Sequence, residues 1–390
     1  MRMKIGSYEF LSQDRILWNM PAAEAVLQES SRLCAQRVFI VSSKTLNRST
    51  NVVERIAESL GNRFVGIFDE CREHTPRDSV LAGAAAAREA SPDLIVTIGG
   101  GTAIDTVKVM LICLAHDVVQ ESQLDALYMR TNEDGTRYIP EIKRPPCRQI
   151  VVPTTLSGAE YSNLGGCTDL KRKSKDAYVG REIGALSVIL DPQVTLHTPE
   201  WLWLSTAVRA VDHAVESICS IDPIPFVDAT CLHALRLFRT SLRKAILQPG
   251  DLQTRSDCQH AAWMASTGIL RVQYGASHGI GHSLGAVTGM SHGHTSCIML
   301  PAVMAWNRLA NETRQKMVAE ALGREDGDAA AALAELVESI RQPRRLRDAK
   351  VDRNQFGAIA EGALENIWVR TNPRPITRKE QILEILESAW

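Results

Sequence analysis

Paired cysteines are missing from this chain. Its nine cysteines (Cys34, Cys71, Cys113, Cys147, Cys167, Cys219, Cys231, Cys258 and Cys297) stand singly, with no Cys-x-x-Cys among them. An odd, scattered set fits reduced thiols rather than a disulfide framework, which makes a cytoplasmic location the expectation. An excess of either charge is missing too. Lys and Arg number 44 against 45 Asp and Glu, a formal net charge of -1, so there is no electrostatic case for nucleic acid or an anionic membrane as partner. Long apolar runs are also absent. No segment approaches the roughly 20 apolar residues that span a bilayer, and MRMKIGSYEFLSQDRILW lacks the uninterrupted apolar core of a signal peptide. The expectation is a soluble protein.

What is present is a chain of 390 residues, 45% hydrophobic, long enough for two domains or one large α/β unit. RVFIVSS (37–43), FVGIFDE (64–70), DLIVTIGGG (93–101), RQIVVPTT (148–155) and SVILDP (187–192) read as buried strands. Between them VLAGAAAAREA (80–90) and TAIDTVKVMLICLAH (102–116) carry helical spacing. Such alternation predicts a parallel sheet with helices on its faces. After Pro199 the pattern changes to long helices. The predicted organisation is an α/β domain over 1–195 and an all-α domain over 196–390. The polar, turn-rich stretch TNEDGTRYIPEIKRPP (131–146) reads as a surface loop or hairpin.

No GxGxxG fingerprint occurs, yet Gly99, Gly100 and Gly101 follow a predicted strand and open a helix through Thr102. Glycines there let the backbone approach a diphosphate, and a helix N-terminus supplies free N–H groups and a positive dipole end. A tight turn with no ligand would look the same locally. A second turn, PTTLSGAE (153–160), ends the next strand, and its Thr154, Thr155 and Ser157 could line the same crevice at the carboxyl edge of the sheet. Also missing is an acid after the first sheet strand. There the chain reads IVSSKT, with Ser42, Ser43 and Lys44.

The densest chemistry lies in GASHGIGHSLGAVTGMSHGHTS and AVRAVDHAVES. His278 and His282 share a helical face, His292 and His294 follow, and His213 lies one turn after Arg209. Asp212 is adjacent to His213 and projects about 100° away, so a salt bridge suits it better than a ligand role.

Together these stretches resemble the iron-containing alcohol dehydrogenase superfamily, which includes maleylacetate reductases and is related to dehydroquinate synthase. GGGTAIDTVK matches its GGGS-type diphosphate loop, PTTLSGAE its PTTAGTGSE-type turn, and HGIGHSLGAVTGMSHGHTSCIMLP its HxxxHxxG…PHG signature. The resemblance covers nearly the whole chain. It implies NAD(P)H binding by the first domain through Ser43, Gly99, Gly100, Gly101, Thr102, Asp105, Thr154, Thr155 and Ser157, with Lys173 or Lys175 near the cofactor. NAD-preferring members carry an acid after the first sheet strand that accepts the adenosine ribose and repels a 2′-phosphate, so with Ser43 there the resemblance implies that NADPH is accepted, alongside NADH. It further implies a helical second domain, an active site in the cleft between the domains, a histidine at 282 beside the nicotinamide, and a homodimer. Metal-dependent members present an aspartate, a histidine one turn on and two later histidines; here those positions read Arg209, His213, His278 and His292. A guanidinium repels a divalent ion and does not coordinate it, so no metal is expected and the three histidines read as vestigial ligands.

Within the superfamily the chain is most similar to maleylacetate reductases. PTTLSGAE resembles their PTTYAGSE turn, and Asn372, Pro373, Arg374, Pro375 and Thr377 match an NPRPVT-type ending. The chain departs from them at Arg209, in place of an asparagine, and at SHGHTS (Ser291–Ser296), in place of PHAETH. The function expected is NAD(P)H-dependent reduction of a small carboxylated oxo or enoyl compound. Arg209 would hold a carboxylate or developing oxyanion, and His282 or His278 would donate the proton. The alternatives are a metal-dependent alcohol or aldehyde dehydrogenase, and a non-redox lyase, cyclase or silent binding protein on the same scaffold. Trp201 and Trp203 in WLWL read as packing residues.

Overall fold

A computed structural model describes residues 5–132, 136–172 and 174–390. The chain divides into two units, one made of residues up to Pro153 together with Ala159–Leu190, the other of Thr154–Gly158 together with Asp191–Trp390. The short turn Thr154–Gly158 therefore belongs with the helices, although the sequence pattern groups it with the strands. Hydrogen bonds explain this: Leu156 N donates to Thr206 Oγ1 at 3.1 Å, and Thr198 Oγ1 donates to the Thr154 carbonyl at 2.7 Å.

The first unit is built on a six-stranded parallel sheet. In chain order the strands are β1 (Arg15–Trp18), β2 (Val38–Ser42), β3 (Phe64–Phe68), β4 (Leu94–Gly99), β5 (Arg130–Thr131), β6 (Arg137–Tyr138), β7 (Arg148–Pro153), β8 (Leu164–Asp169), β9 (Ser174–Val179) and β10 (Ala185–Leu190). The main sheet runs β1-β10-β7-β4-β2-β3. β2 and β4 are buried along their whole length, which is why they read as continuous apolar runs without alternation. Phe39, Val41, Ile95, Val107 and Leu111 share one core with Val80 and Ala84 of the Arg77–Ala90 helix. β5 and β6 form a short antiparallel ladder in the insert expected to be a loop or hairpin. The β8–β9 hairpin and the edge strand β1 lie outside the sequence expectation.

Strand order decides where a ligand can sit. From β2 the chain steps outward to β3, then returns to place β4 on the other side of β2 and continues through β7 and β10. The reversal point lies between β2 and β4, where Ser42 pairs with Ile98. Ligands of open α/β sheets bind beyond the strand ends at such a point, and Ser43 and Gly99 follow directly from it.

The second unit is helical, with the long segments Glu200–Ile218, Pro225–Leu247, Leu252–Ala265, Ala276–Thr288 and His292–Asn307. No described helix is long and apolar enough to cross a membrane, and all nine cysteines are free.

Behind the glycine loop, buried Lys108 donates to the carbonyls of Ala159 and Leu164, each at 2.7 Å, and to Asp105 Oδ1 at 3.2 Å. Beside it Glu160 is fully buried, with Oε2 lacking a hydrogen-bond partner. Burial pushes its carboxyl from 4.5 up to about 7, against the pull of its own backbone N–H and of Lys108. Below the unfolded value the group is neutral in both states and costs nothing. As pH rises toward 7 the unfolded chain releases a proton that the folded one keeps, so stability falls, by roughly 3 kcal/mol in all. Glu160→Gln is therefore expected to raise the urea midpoint at pH 8 and to leave it little changed at pH 5; equal effects at both pH values would reject the raised value.

Candidate active site

In the first unit the glycine loop is shaped by close contact. Gly99 has φ of +157°, and a Cβ there would lie 2.9 Å from that of Ala103, so a side chain at 99 would push the strand end away from its helix. Gly100 precedes the Gly101–Ala115 helix and offers it no capping side chain, which leaves the first-turn N–H groups to an outside acceptor. Asp105, expected to serve the cofactor, is engaged within the unit: Oδ2 accepts from Gly166 N at 3.1 Å and Oδ1 from Lys108. Lys175 lies exposed on β9 with its stem across Gly166, its Cε only 2.4 Å from where a Cβ on that glycine would stand. Gly166 thus makes room for the lysine beside Asp105. Lys173 lies outside the described residues.

Ser43 caps the Lys44–Ser49 helix by accepting from Leu46 N at 3.2 Å, and it bridges to Glu70. At the end of β3, Asp69 accepts from Asn47 Nδ2 at 3.0 Å and Arg48 Nε at 3.2 Å. The Asn47 contact, with Arg48, holds its carboxyl below the usual range despite some burial.

In the second unit the Glu200–Ile218 helix places Arg209, Asp212, His213 and Glu216 on one face, at the i, i+3, i+4 and i+7 positions. Glu216 Oε2 accepts from Gly275 N at 3.0 Å, His278 N at 3.2 Å and His278 Nδ1 at 2.7 Å, while Oε1 accepts from Ser277 N at 2.9 Å. It satisfies the opening turn of the Ala276–Thr288 helix in place of a local cap, since Gly275 provides none. Gly275 is required for this approach, because a Cβ there would stand 2.9 Å from Glu216 Oε1.

The imidazoles form a chain. His278 Nε2 lies 3.0 Å from His213 Nδ1, and His213 also bonds the backbone of Ser157. His278 Nδ1 meets Glu216 Oε2 and its Nε2 meets His213 Nδ1, so its ring is held from both sides. Burial first, and the neighbouring His278 and Arg209 charges next, hold His213 far below its ordinary pKa of 6.5, which keeps it neutral. Both ring nitrogens of His278 are thereby committed within the protein. Of the two histidines expected to serve as proton donor, His282 is the one placed toward Arg209.

Arg209 is 8% exposed. Its Nη1 donates to Ser296 Oγ at 3.2 Å and lies 3.6 Å from Asp212 Oδ2, and its Nη2 lies 3.5 Å from His282 Nε2. Asp212 Oδ2 accepts from Ser296 Oγ at 2.6 Å and Ser277 Oγ at 2.9 Å, and Oδ1 lies 3.4 Å from His278 Nδ1. Burial works against the Asp212 charge, but His278, Arg209 and Ser296 outweigh it and hold the carboxyl below 3.8. The His282 ring lies 5.4 Å from that of His292 and 4.7 Å from Trp368. His294 lies instead against Trp201, at 5.6 Å, while Trp203 is buried.

Asp212, Glu216 and His278 have ligand atoms within 4.8 Å of one another and are the one described group with the composition of a metal site. Sequence reasoning missed Glu216, Ser277, Ser296 and Trp368. The i+3 spacing of Glu216 from His213 is the signal that could have found the first; the serines and Trp368 carry no such signal.

The iron-containing alcohol dehydrogenase profile matches residues 14–192, and the profile for the C-terminal part of the Fe-containing alcohol dehydrogenase family matches residues 203–390. The chain belongs to the iron-containing alcohol dehydrogenase family. This family member is 30% identical to dehydrogenase FUM7 of Gibberella moniliformis, over 97% of this chain and 96% of that protein. It is 28% identical to a maleylacetate reductase of Sphingobium indicum, over 92% of this chain and 93% of the relative. Among solved structures, a maleylacetate reductase from Agrobacterium tumefaciens superposes with a TM-score of 0.83 at 25% identity, covering 100% of this chain and 99% of that one. The protein is thus an oxidoreductase of the iron-containing alcohol dehydrogenase family, with maleylacetate reductases among its relatives.

Glu216→Ala would leave three buried backbone N–H groups without an acceptor and His278 Nδ1 without its carboxylate partner. Breaking a buried pair from one side costs about 3–5 kcal/mol, and urea unfolding should show a loss of that order; a loss under about 1 kcal/mol would mean that Glu216 does not anchor the helix.

Proposed function

We propose that this protein is an NAD(P)H-dependent reductase that works without a bound metal and acts on a small carboxylated oxo or enoyl substrate, as its maleylacetate reductase relatives do by name. The observation that carries the reading is Arg209, a buried guanidinium tied to Ser296, Asp212 and His282 at the position where metal-dependent members present their aspartate.

The residues fit a nicotinamide cofactor. The close-packed Gly99 turn and the uncapped Gly101–Ala115 helix would hold its diphosphate, with Thr102 at the helix start and Lys175 nearby on β9. Ser43 brings no carboxylate against a 2′-phosphate, which supports use of NADPH as well as NADH. When bound, the cofactor supplies the hydride.

The donor set does not fit a metal. His213 and His278 bond each other, His278 is bonded again by Glu216, and the Glu216 oxygens are taken by backbone N–H groups. Two carboxylates, Asp212 and Glu216, face the Arg209 guanidinium and the His278 imidazole. A divalent ion would meet a guanidinium it cannot displace without cost. The Asp212, Glu216 and His278 grouping favours a metal-dependent alcohol dehydrogenase as the second reading.

On the first reading, the Arg209 N–H groups not used by Ser296 and His282 bind a substrate carboxylate or the enolate oxygen that develops as hydride adds, in a buried setting where such bonds are strong. His282 delivers the proton. Burial of the cluster keeps water from competing for the guanidinium.

NADPH and NADH oxidation, followed at 340 nm with maleylacetate, 2-oxo acids and short aldehydes in the presence of a chelator, tests the reading. Turnover of a carboxylated compound, insensitive to the chelator, is expected; turnover confined to uncharged aldehydes and abolished by the chelator would favour the metal enzyme. Arg209→Met should lower kcat/KM for the carboxylated substrate by about 10²-fold without weakening NADPH binding, and an unchanged kcat/KM would reject the role given to the guanidinium. Arg209→Asp should gain affinity for a divalent ion, read by calorimetry.

A further inference from the structure

Trp368 lies in neither histidine stretch, yet its indole meets the histidine wall. The ring centroid is 4.7 Å from His282 at an interplanar angle of 65°, 5.8 Å from His278 at 81°, and 6.1 Å from Tyr274. The residue is neither fully buried nor fully exposed.

The indole is held where it stands. Asn366 caps the short Ile367–Arg370 helix by accepting from Trp368 N at 3.0 Å. The Ala276–Thr288 helix approaches this segment to backbone contact through Gly279, where a Cβ would lie 2.6 Å from Val369 Cγ2 and 2.9 Å from Val369 N. Just downstream, Thr371 Oγ1 donates to the Tyr274 carbonyl at 2.6 Å, and Asn372 Oδ1 accepts from Ala276 N at 3.1 Å. The segment bearing Trp368 is thus pinned to the helix that carries His278 and His282. A side chain with two rotatable bonds on so fixed a backbone forms a rigid surface.

We propose that Trp368 is a specificity-determining wall of the substrate site, selecting flat, unbranched oxo or enoyl chains. The inference rests on the reading of His282 as proton donor to a bound substrate. An atom protonated by His282 must come within about 3 Å of the imidazole, and the indole stands directly against that ring. A planar, unsaturated chain can lie along the indole face. A branch at the carbon next to the carbonyl meets the indole and is turned away. Because one methyl group in a tight pocket changes selectivity by about 10-fold or more, the wall should be visible in matched substrate pairs.

The test compares kcat/KM for 2-oxobutanoate against 3-methyl-2-oxobutanoate, and for butanal against 2-methylpropanal, in the wild type, Trp368→Phe and Trp368→Ala. Where turnover is slow, dissociation constants of the same compounds on the NADPH-loaded protein supply the ratio. Trp368→Ala is expected to lower the unbranched-to-branched ratio by about 10-fold or more, with Trp368→Phe intermediate and the KM for NADPH unchanged. A ratio unchanged in both pairs, or an equal fall in both members of each pair, would overturn the proposal, the latter by marking Trp368 as merely structural. If the wild type uses the aldehydes but neither turns over nor binds the oxo acids, the carboxylated-substrate reading fails, and the aldehyde pair alone decides the wall.

Discussion

A single carboxylate organises the helical unit. Glu216 stands in the last turn of one helix, receives the first N–H groups of another, and meets His278 Nδ1. A buried acid of this kind is tolerated because both its oxygens accept hydrogen bonds and a positive helix end faces it. Its placement has consequences one turn at a time. His278 is turned toward Glu216, so its other nitrogen meets His213, and His213 in turn holds the Ser157 backbone. Two histidines that would serve as ligands elsewhere are spent on each other. Arg209, two turns before Glu216 on the same face, then lies beside the remaining acid, Asp212, with Ser296 donating to the aspartate and accepting from the arginine.

Charge balance gives this arrangement its chemical character. Arg209 and Asp212 are i, i+3 neighbours, and the direct contact is loose at 3.6 Å. The shorter path runs through the Ser296 hydroxyl. Such a relay leaves part of the guanidinium uncommitted while supplying the counter-charge that a buried arginine needs. His282 lies beside Nη2 and is flanked by His292 and Trp368. A fixed cation, a neighbouring imidazole and an indole ring therefore occur together.

Much of this was legible in the sequence, for reasons that can be stated residue by residue. β2, β4 and β7 are buried apolar runs, so their strands declare themselves within a residue or two. β1 is four residues at a sheet edge and includes Arg15 and an exposed Trp18; β8 and β9 read LGGCTD and SKDAYV, whose glycines and charges hide a strand that exists to pack bare Cα atoms on the Gly101–Ala115 helix. In the site, helical spacing alone brings Arg209 next to His213 and His278 next to His282. It does not reveal that Glu216 reaches backbone groups some 60 residues away, because backbone N–H groups are the same in every residue. For the same reason Asp105 reads as a cofactor residue in its motif, whereas the fold spends it on Gly166 and Lys108. Trp368 joins the histidines through the close approach at Gly279, which no local pattern encodes.

The central claim is that Arg209 and Asp212 occupy, as a charge-balanced pair, the place that a divalent ion takes in metal-dependent relatives. The most direct test is elemental analysis of the full-length protein, purified without chelators and dialysed against metal-free buffer. The account predicts a metal-to-protein ratio near zero, whereas a tightly held divalent ion at a ratio near one would contradict it.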